Sequence, residues 1–340
     1  EVQELFVAIR SLVAQGKTVI FIAHKLPEVL EISNTITVMR QGKTVGQVKT
    51  REVTEKSLAA MMVGREVALR VERKPTDQTQ RVAAVSGLRV VNALGTEVVA
   101  GLDLNVHSGE VVGLVGVEGN GQAETLEAIA GLRSIVAGTI TIANENATPM
   151  SVLERRGLGL ASIPEDRIAQ GLSTGSTVAE NLVATRLNDK RYVRNGLLDL
   201  KAIRANAVRL IEQFSIRVGG PNYTVGTLSG GNMQKVVVAR ELSEQPKLLL
   251  VNQPTRGVDL GATQFIWRTI TDARDAGAAV LLSSADLGEL LALSDRLLVL
   301  YRGKIVAAFI NTPDLTPETL GTYMLGLSTQ TADEMKAALK

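Results

Sequence analysis

Apolar positions along this chain fall into a few distinct patterns. Residues 82–91 and 97–106 are apolar stretches broken by polar positions, suited to an antiparallel β layer. Residues 109–116, GEVVGLVG, form a continuous apolar run, as expected of a strand buried on both faces. From there to about residue 327, helical patterns alternate with short apolar strands, which predicts an α/β domain. Residues 1–15 carry a charged, amphipathic pattern instead. Between them, residues 65–81 (REVALRVERKPTDQTQR) are polar, contain Pro75 and keep neither period, so they are expected to be a linker.

Two segments repeat. Residues 16–46, GKTVIFIAHKLPEVLEISNTITVMRQGKTVG, align without a gap on residues 277–307, GAAVLLSSADLGELLALSDRLLVLYRGKIVA. Glu28 falls on Glu289, Ser33 on Ser294, and Gly42-Lys43 on Gly303-Lys304. Each copy predicts an apolar strand (18–23 in the first), a short helix, a second strand and a glycine-centred hairpin. Similarity at such a distance indicates a duplicated domain rather than a solenoid of small repeats. Residue 1 corresponds to a position near the end of the second copy, so the chain is expected to be a C-terminal fragment of a longer polypeptide. The expected division is 1–64 for the end of a first domain, 65–81 for a linker, 82–327 for a second domain and 328–340 for a tail.

Composition narrows the class without deciding it. The chain is 45% hydrophobic and 21% charged, as in an ordinary globular protein. A net charge of +2 gives no reason to expect a nucleic acid as partner. Cysteine is absent, which excludes disulfides and thiolate metal sites. No apolar run approaches the roughly 20 residues that span a bilayer.

Three segments carry chemistry. GVEGNGQAE, residues 116–124, has the G-x-x-x-x-G frame of a phosphate-binding loop between a strand and a helix. Its glycines allow backbone N–H groups to point at phosphate above the positive end of the helix. The side chains differ from that pattern. Gln122 replaces the lysine, Ala123 the hydroxyl that ligates Mg²⁺, and Glu118 adds negative charge. TLSGGNMQK, residues 227–235, places Leu228, Ser229, two glycines (Gly230 and Gly231), Asn232 and Gln234 at a helix start, an arrangement suited to an anion. Ser229 could equally be a plain helix cap. KLLLVNQPTRGVD, residues 247–259, is an apolar strand that ends in Asn252 and Gln253.

In this order the segments resemble the ATP-binding subunit of an ABC transporter with two fused nucleotide-binding domains. The matching elements are the P-loop frame, SIPEDR (162–167) at the Q-loop, LSGG, the NQPT strand end, RGVD (256–259) at the D-loop and the switch loop. GNGQAE, IPEDR and QPTRGVDLGA resemble the simple-sugar and nucleoside importers, nearest to the nucleoside type. The resemblance implies an α/β P-loop NTPase fold with a mixed sheet, an antiparallel β subdomain and a helical subdomain. It implies nucleotide-facing positions at Gly116, Glu118, Gly119, Asn120, Gly121, Gln122, Ala123 and Glu124, at Glu165, at Leu228–Asn232 and Gln234, at Asn252 and Gln253, and at Asp259.

The second domain departs from that pattern at Gln122, Ala123, Glu165, Asn252, Gln253 and Ala285. Loss of a general base alone lowers rates by ~10²–10⁴. Its own site is therefore expected not to hydrolyse ATP, and no aromatic residue from 82 to 116 offers a stacking surface for adenine. In the family, two domains pair head to tail around each ATP. By that resemblance, Ser229–Gly231 complete a site whose P-loop lies in the first domain, with Mg²⁺ mainly there. His24, at the first copy's switch position where the second has Ala285, is the expected catalytic residue; His107 is expected on the surface. The resemblance further implies permease subunits, touched through residues 165–181, an extracytoplasmic solute-binding protein, and a peripheral place on the cytoplasmic face of the membrane. The fragment alone is expected to be inactive. The alternative is a twin-cassette ATPase acting on the ribosome, against which the short, Pro-broken linker and degraded site both speak.

Overall fold

The chain opens with α1 (Val2–Ala14), followed by α2 (Leu26–Ile32), the hairpin β1 (Thr35–Arg40) and β2 (Lys43–Lys49), and α3 (Glu55–Val63). The structure, a computed structural model, describes residues 2–23, 26–40, 42–63, 74–194 and 196–339. His24 and residues 65–73 of the expected linker lie outside the described residues. The chain divides into two units, residues 1–70 with 259–264 and residues 71–258 with 265–340. In the first, Leu26, Ile36, Val38, Leu58 and Ala59 form a small buried cluster.

The second unit begins with β3 (Arg81–Val91), β4 (Glu97–His107) and β5 (Val111–Val115). Next come α4 (Gln122–Ala130), β6 (Ala137–Ile142), β7 (Glu145–Asn146), α5 (Val152–Gly157) and β8 (Leu160–Ile163). Then follow α6 (Val178–Val183), the small hairpin β9 (Val193–Arg194) and β10 (Leu197–Leu198), α7 (Leu200–Gln213), α8 (Gly230–Leu242) and β11 (Leu248–Asn252). The unit closes with α9 (Leu260–Asp275, whose first residues group with the first unit), β12 (Ala279–Ser283), α10 (Leu287–Leu293), β13 (Arg296–Tyr301), β14 (Lys304–Ile310), α11 (Pro317–Met324) and α12 (Ala332–Leu339).

Two sheets form its centre. Strands β14-β13-β5-β12-β11-β8 make a six-stranded sheet, parallel except for β14 at its edge. Every residue of β5, β11 and β12 is buried, which is why those segments read as unbroken apolar runs. Strands β4-β3-β6-β7 form an antiparallel sheet whose alternating inner positions, such as Val85, Val99 and Leu104, share a core with Leu114, Ile129, Leu250 and Leu281. Helices α6, α7 and α8 pack on one another as a helical subdomain, α6 opened by a capping box between Thr177 and Glu180. The expected mixed sheet, antiparallel subdomain and helical subdomain are all present.

The repeat has a geometric counterpart. Pairing Thr35↔Lys49 in β1–β2 corresponds to Arg296↔Ile310 in β13–β14, and each hairpin slips register after its fourth residue, Val38 or Val299. Gly42 and Gly303 turn the two hairpins at φ 74° and 76°.

Two local expectations, the strand at 18–23 and the surface place of His107, need correction, and the expected linker and tail are both tied to the second unit. Residues 18–23 carry no strand, and Ile20 and Ile22 are 89% and 93% exposed. A strand exists only through its neighbour's N–H and C=O groups, and the described residues put none beside this stretch, whereas β12 lies between β11 and β5. In the last part of the expected linker, Thr76 Oγ1 donates to the Gly109 carbonyl (2.7 Å), and Arg274 Nη1 to that of Lys74 (2.5 Å). His107 is not a surface residue; its Nδ1 lies 3.2 Å from Glu110, whose buried carboxylate also takes Arg296. The tail folds as α12, with Arg296 Nη1 donating to the Ala338 carbonyl (2.7 Å) and Asn105 to that of Leu339 (3.2 Å). Among the described residues, no helix is long and apolar enough to cross a membrane.

Candidate nucleotide-binding elements

Strand order gathers most of the expected positions on one edge. Register pairs Leu114 with Ser283, Ser283 with Asn252, and Val251 with Ile163. The loops that leave β5, β12, β11 and β8 at their carboxyl ends therefore lie side by side, with roughly 4.8 Å between neighbouring strands. Open α/β sheets use this edge for ligands.

The loop after β5 keeps its backbone frame. Gly119 and Gly121 take φ of 88° and 103°, which only glycine adopts without strain. Thr125 ties the start of α4 to the Gly121 carbonyl through its backbone N–H (2.9 Å) and hydroxyl (2.7 Å). A Cβ on Gly121 would come within 2.5 Å of the Val98 carbonyl, so the loop packs directly on β4. Asn120 Oδ1 accepts from Arg302 N (2.7 Å), and the Gly303 N–H donates to the Asn120 carbonyl (3.2 Å), which pins the β13–β14 turn to the loop. Asn120 is thus occupied inside the protein.

Gln122 has turned inward. It is 6% exposed, its Nε2 donates to the Val117 carbonyl (3.3 Å), and a Cβ at Gly116 would collide with that amide. Glu118 stays exposed, while Ala123 and Glu124 are half-buried on the first turn of α4. Of the two strand-end amides, one is buried and the other bonds to its own domain. Asn252 is buried at the end of β11. Gln253, held at φ 49°, donates its N–H to Ser283 O (2.8 Å) and accepts at Oε1 from Ala285 N (3.0 Å). Mg²⁺ requires oxygen ligands, preferably anionic. Ala123, Asn252 and Gln253 offer neither a hydroxyl nor a carboxylate, so the residues present do not fit the metal.

Behind this edge lies a residue that the sequence marked only as the repeat partner of Glu28. Glu289 is 1% exposed and accepts hydrogen bonds from Ser284 Oγ and Trp267 Nε1, both at 2.6 Å. Burial pushes its pKa up in spite of them.

The LSGG segment stands at the start of α8. Ser229 occupies the cap position, but its hydroxyl does not cap the helix; it accepts from Asn232 Nδ2 (2.9 Å) instead. Asn232 Oδ1 in turn accepts from Arg217 N (2.9 Å). Ser229 is exposed, Leu228 and Gly231 are buried, and Gly230 is half-buried. Gln234 departs from expectation: at 2% exposure it lies inside the domain, on the covered face of α8. Asp259 is exposed, and its Oδ1 accepts from Ala262 N (2.9 Å) at the start of α9. Glu165 pairs with Arg256, and Arg167 Nη1 donates to the Arg256 carbonyl (2.7 Å). Both arginines stand inside motifs quoted from the sequence, but their partners lie about ninety residues away in the chain, which no local pattern reveals.

The comparisons agree with this architecture. The family described as ABC transporter matches residues 99–256. A nucleoside import ATP-binding protein of Lactococcus lactis is 37% identical over 96% of this chain and 64% of its own length. A guanosine import ATP-binding protein of Bacillus subtilis is 39% identical over 97% and 64%. A glucose import ATP-binding protein of Haloferax volcanii is 40% identical over 98% and 60%. The chain thus spans about three fifths of the length of these relatives. Among solved structures, a nucleotide-free ATP-binding cassette from an ABC transporter superposes with a TM-score of 0.60 at 21% identity, over 72% of this chain and 99% of that one. A dimeric ATP-binding cassette in a post-hydrolysis state with ADP and Pi gives 0.59 at 20%, over 68% and 99%. At that identity the likeness concerns the fold.

Proposed function

We propose, since the chain belongs to the ABC transporter family, that it is part of an ATP-hydrolysing subunit that drives import of nucleosides or simple sugars. Residues 1–64 are the end of a first cassette, and residues 82–327 are a second, degenerate one. ATP and Mg²⁺ are bound at the first cassette's P-loop. The second cassette completes that site with Ser229, Gly230 and Gly231, and His24 serves there as the switch residue. The exposed Ile20 and Ile22 fit this reading, because they follow the pattern of a central strand and need neighbours from the remainder of a cassette. The relatives' names offer nucleosides, guanosine and glucose at closely similar identities, so the solute class stays at nucleosides and simple sugars. Nothing in those names favours the ribosome-acting alternative.

The observation that carries the asymmetric reading is the fate of two amides. Gln122 folds onto Gly116 and the Val117 carbonyl, and Gln253 bonds to the Ala285 N–H. The positions that would hold a phosphate-binding cation and a catalytic carboxylate instead brace the domain's own backbone. Phosphoryl transfer depends on charge stabilisation at those places, so its loss leaves the second site without turnover. Ser229, by contrast, is exposed, and the N–H groups of the first turn of α8 receive no bond from its side chain. A helix start in this state suits an anion delivered by another domain. Membrane permease subunits and an extracytoplasmic solute-binding protein complete the assembly, with this subunit peripheral on the cytoplasmic face.

Uptake of labelled nucleoside and labelled sugar tests the reading in cells carrying the full-length protein. Gly231→Asp should abolish ATP-driven uptake, because a carboxylate at the buried Gly231 displaces the first turn of α8, and Ser229 with it, from the nucleotide. Gln122→Ala should leave most of it. Equal, severe losses from both would mean that the second site still turns over, and the asymmetric reading would fail.

A further inference from the structure

Arg167 joins the two elements that the second unit is read to present to its partner's nucleotide. Its guanidinium donates through Nη1 to the Arg256 carbonyl (2.7 Å) and through Nη2 to the Gly257 carbonyl (3.4 Å). The same Nη2 lies 2.8 Å from where a Cβ on Gly230 would stand, so the group rests on the first turn of α8. A second link crosses the seam in the opposite sense, from Arg256 to the Glu165 carboxylate. Residues 165 and 167, the turn at 256–257 and the start of α8 are therefore held at one point.

The backbone around Arg167 extends the grip. Arg167–Gly171 form a single π-turn, a form often associated with functional sites. Asp166 Oδ1 organises it by accepting from Ile168 N (2.8 Å) and Ala169 N (3.0 Å). At the far end of the turn, the Gly171 carbonyl accepts from Arg240 Nη1 (2.8 Å), near the end of α8. One five-residue turn thus holds α8 at both its first and last turns. A lysine could not replace Arg167 fully, since only a planar fork reaches two successive carbonyls.

We infer that Arg167 is a positioning residue for ATP hydrolysis in the opposing site: it fixes the signature at Gly230 to the 256–257 turn, so that both reach the nucleotide as one body. The inference rests on the reading of a composite site given above. This role requires no contact between Arg167 and the nucleotide; the loss of its fork leaves the signature and the turn free to shift separately. Misplacement of about 1 Å in such elements can lower turnover ~100-fold.

The test uses the full-length protein reconstituted with its permease partners in liposomes. ATPase kcat, KM for ATP and the thermal midpoint are measured for wild type, Arg167→Ala, Arg167→Lys and Glu165→Gln. Arg167→Ala should lower kcat by at least about tenfold with KM changed less than about threefold, because the opposing P-loop still holds ATP. Arg167→Lys should fall between wild type and Arg167→Ala, and Glu165→Gln, which loosens only the second link, should lower kcat by less. Unchanged kcat per folded molecule in Arg167→Ala, or a rise in KM alone, overturns the inference while the composite site stands. If Arg167→Ala fails to fold, an Arg167→Lys variant with wild-type kcat overturns it as well. Absence of hydrolysis by the wild-type complex defeats the composite-site reading, and the inference falls with it.

Discussion

Glu289 shows how much a single side chain can hide from the sequence. The repeat pairs it with Glu28, and nothing local marks it as more than another charged position on a short helix. The fold buries it against Trp267 and Ser284. Burial disfavours its charged form and raises its pKa above the ordinary 4.5, with the hydrogen bonds only partly offsetting this. Stability from such a group is complete below the unfolded value and is lost as pH rises through the raised folded value. Glu289→Gln removes that titration but can no longer accept from both donors. Wild type should therefore exceed the variant in stability most clearly below about pH 4.5, with the margin narrowing as pH rises. Urea denaturation at a series of pH values measures it, and a margin that widens with pH would contradict the assignment. The replaced positions Gln122 and Gln253 were legible as departures from a P-loop pattern. Where their amides turn was not, because that depends on carbonyls and N–H groups set by the surrounding fold.

Among the elements, α8 was read correctly as a helix opened by Ser229, but what secures it is not written in its own periodicity. Its Glu241 is 3% exposed and accepts from Arg240 Nε (2.7 Å) on the same helix, Arg156 Nη2 (2.8 Å) on α5, and Ser162 N (3.3 Å) on β8. Burial alone would raise its pKa; Arg240 and Arg156 outweigh that and hold it below the usual carboxylate value. The resulting stability is present above the ordinary carboxylate range and is lost as pH falls through the depressed value. Glu241→Gln leaves two guanidiniums facing no anion and should destabilise the chain by ~3–5 kcal/mol. Chemical denaturation at neutral pH checks this; a loss below about 1 kcal/mol would mean solvent already screens the cluster. Strands β5, β11 and β12 were legible because burial on both faces leaves a run of apolar residues. The stretch 18–23 has the same signature yet forms no strand. Composition states a preference for a sheet, while the sheet itself is made by neighbours.

On the scale of the whole chain, the gapless alignment of two segments was the most informative signal in the sequence. It anticipated two hairpins of the same register and bulge, β1–β2 and β13–β14, in separate units. It could not indicate that residues 332–339 fold back onto the second unit, since that contact depends on Arg296 and Asn105 reaching the last turn of a helix with no counterpart in the repeat. Residues 18–23, TVIFIA, also have a consequence for handling this polypeptide. They are six uncharged residues without glycine or proline, rich in β-branched and aromatic side chains, and among the described residues no strand pairs with their backbone. Such windows nucleate cross-β stacking between copies. Produced alone and concentrated, this chain should form thioflavin-positive aggregates seeded at this stretch, and Ile22→Lys should delay their onset by adding a charge at a solvent-facing position. Equal lag times for the two in light scattering would place the sticky surface elsewhere.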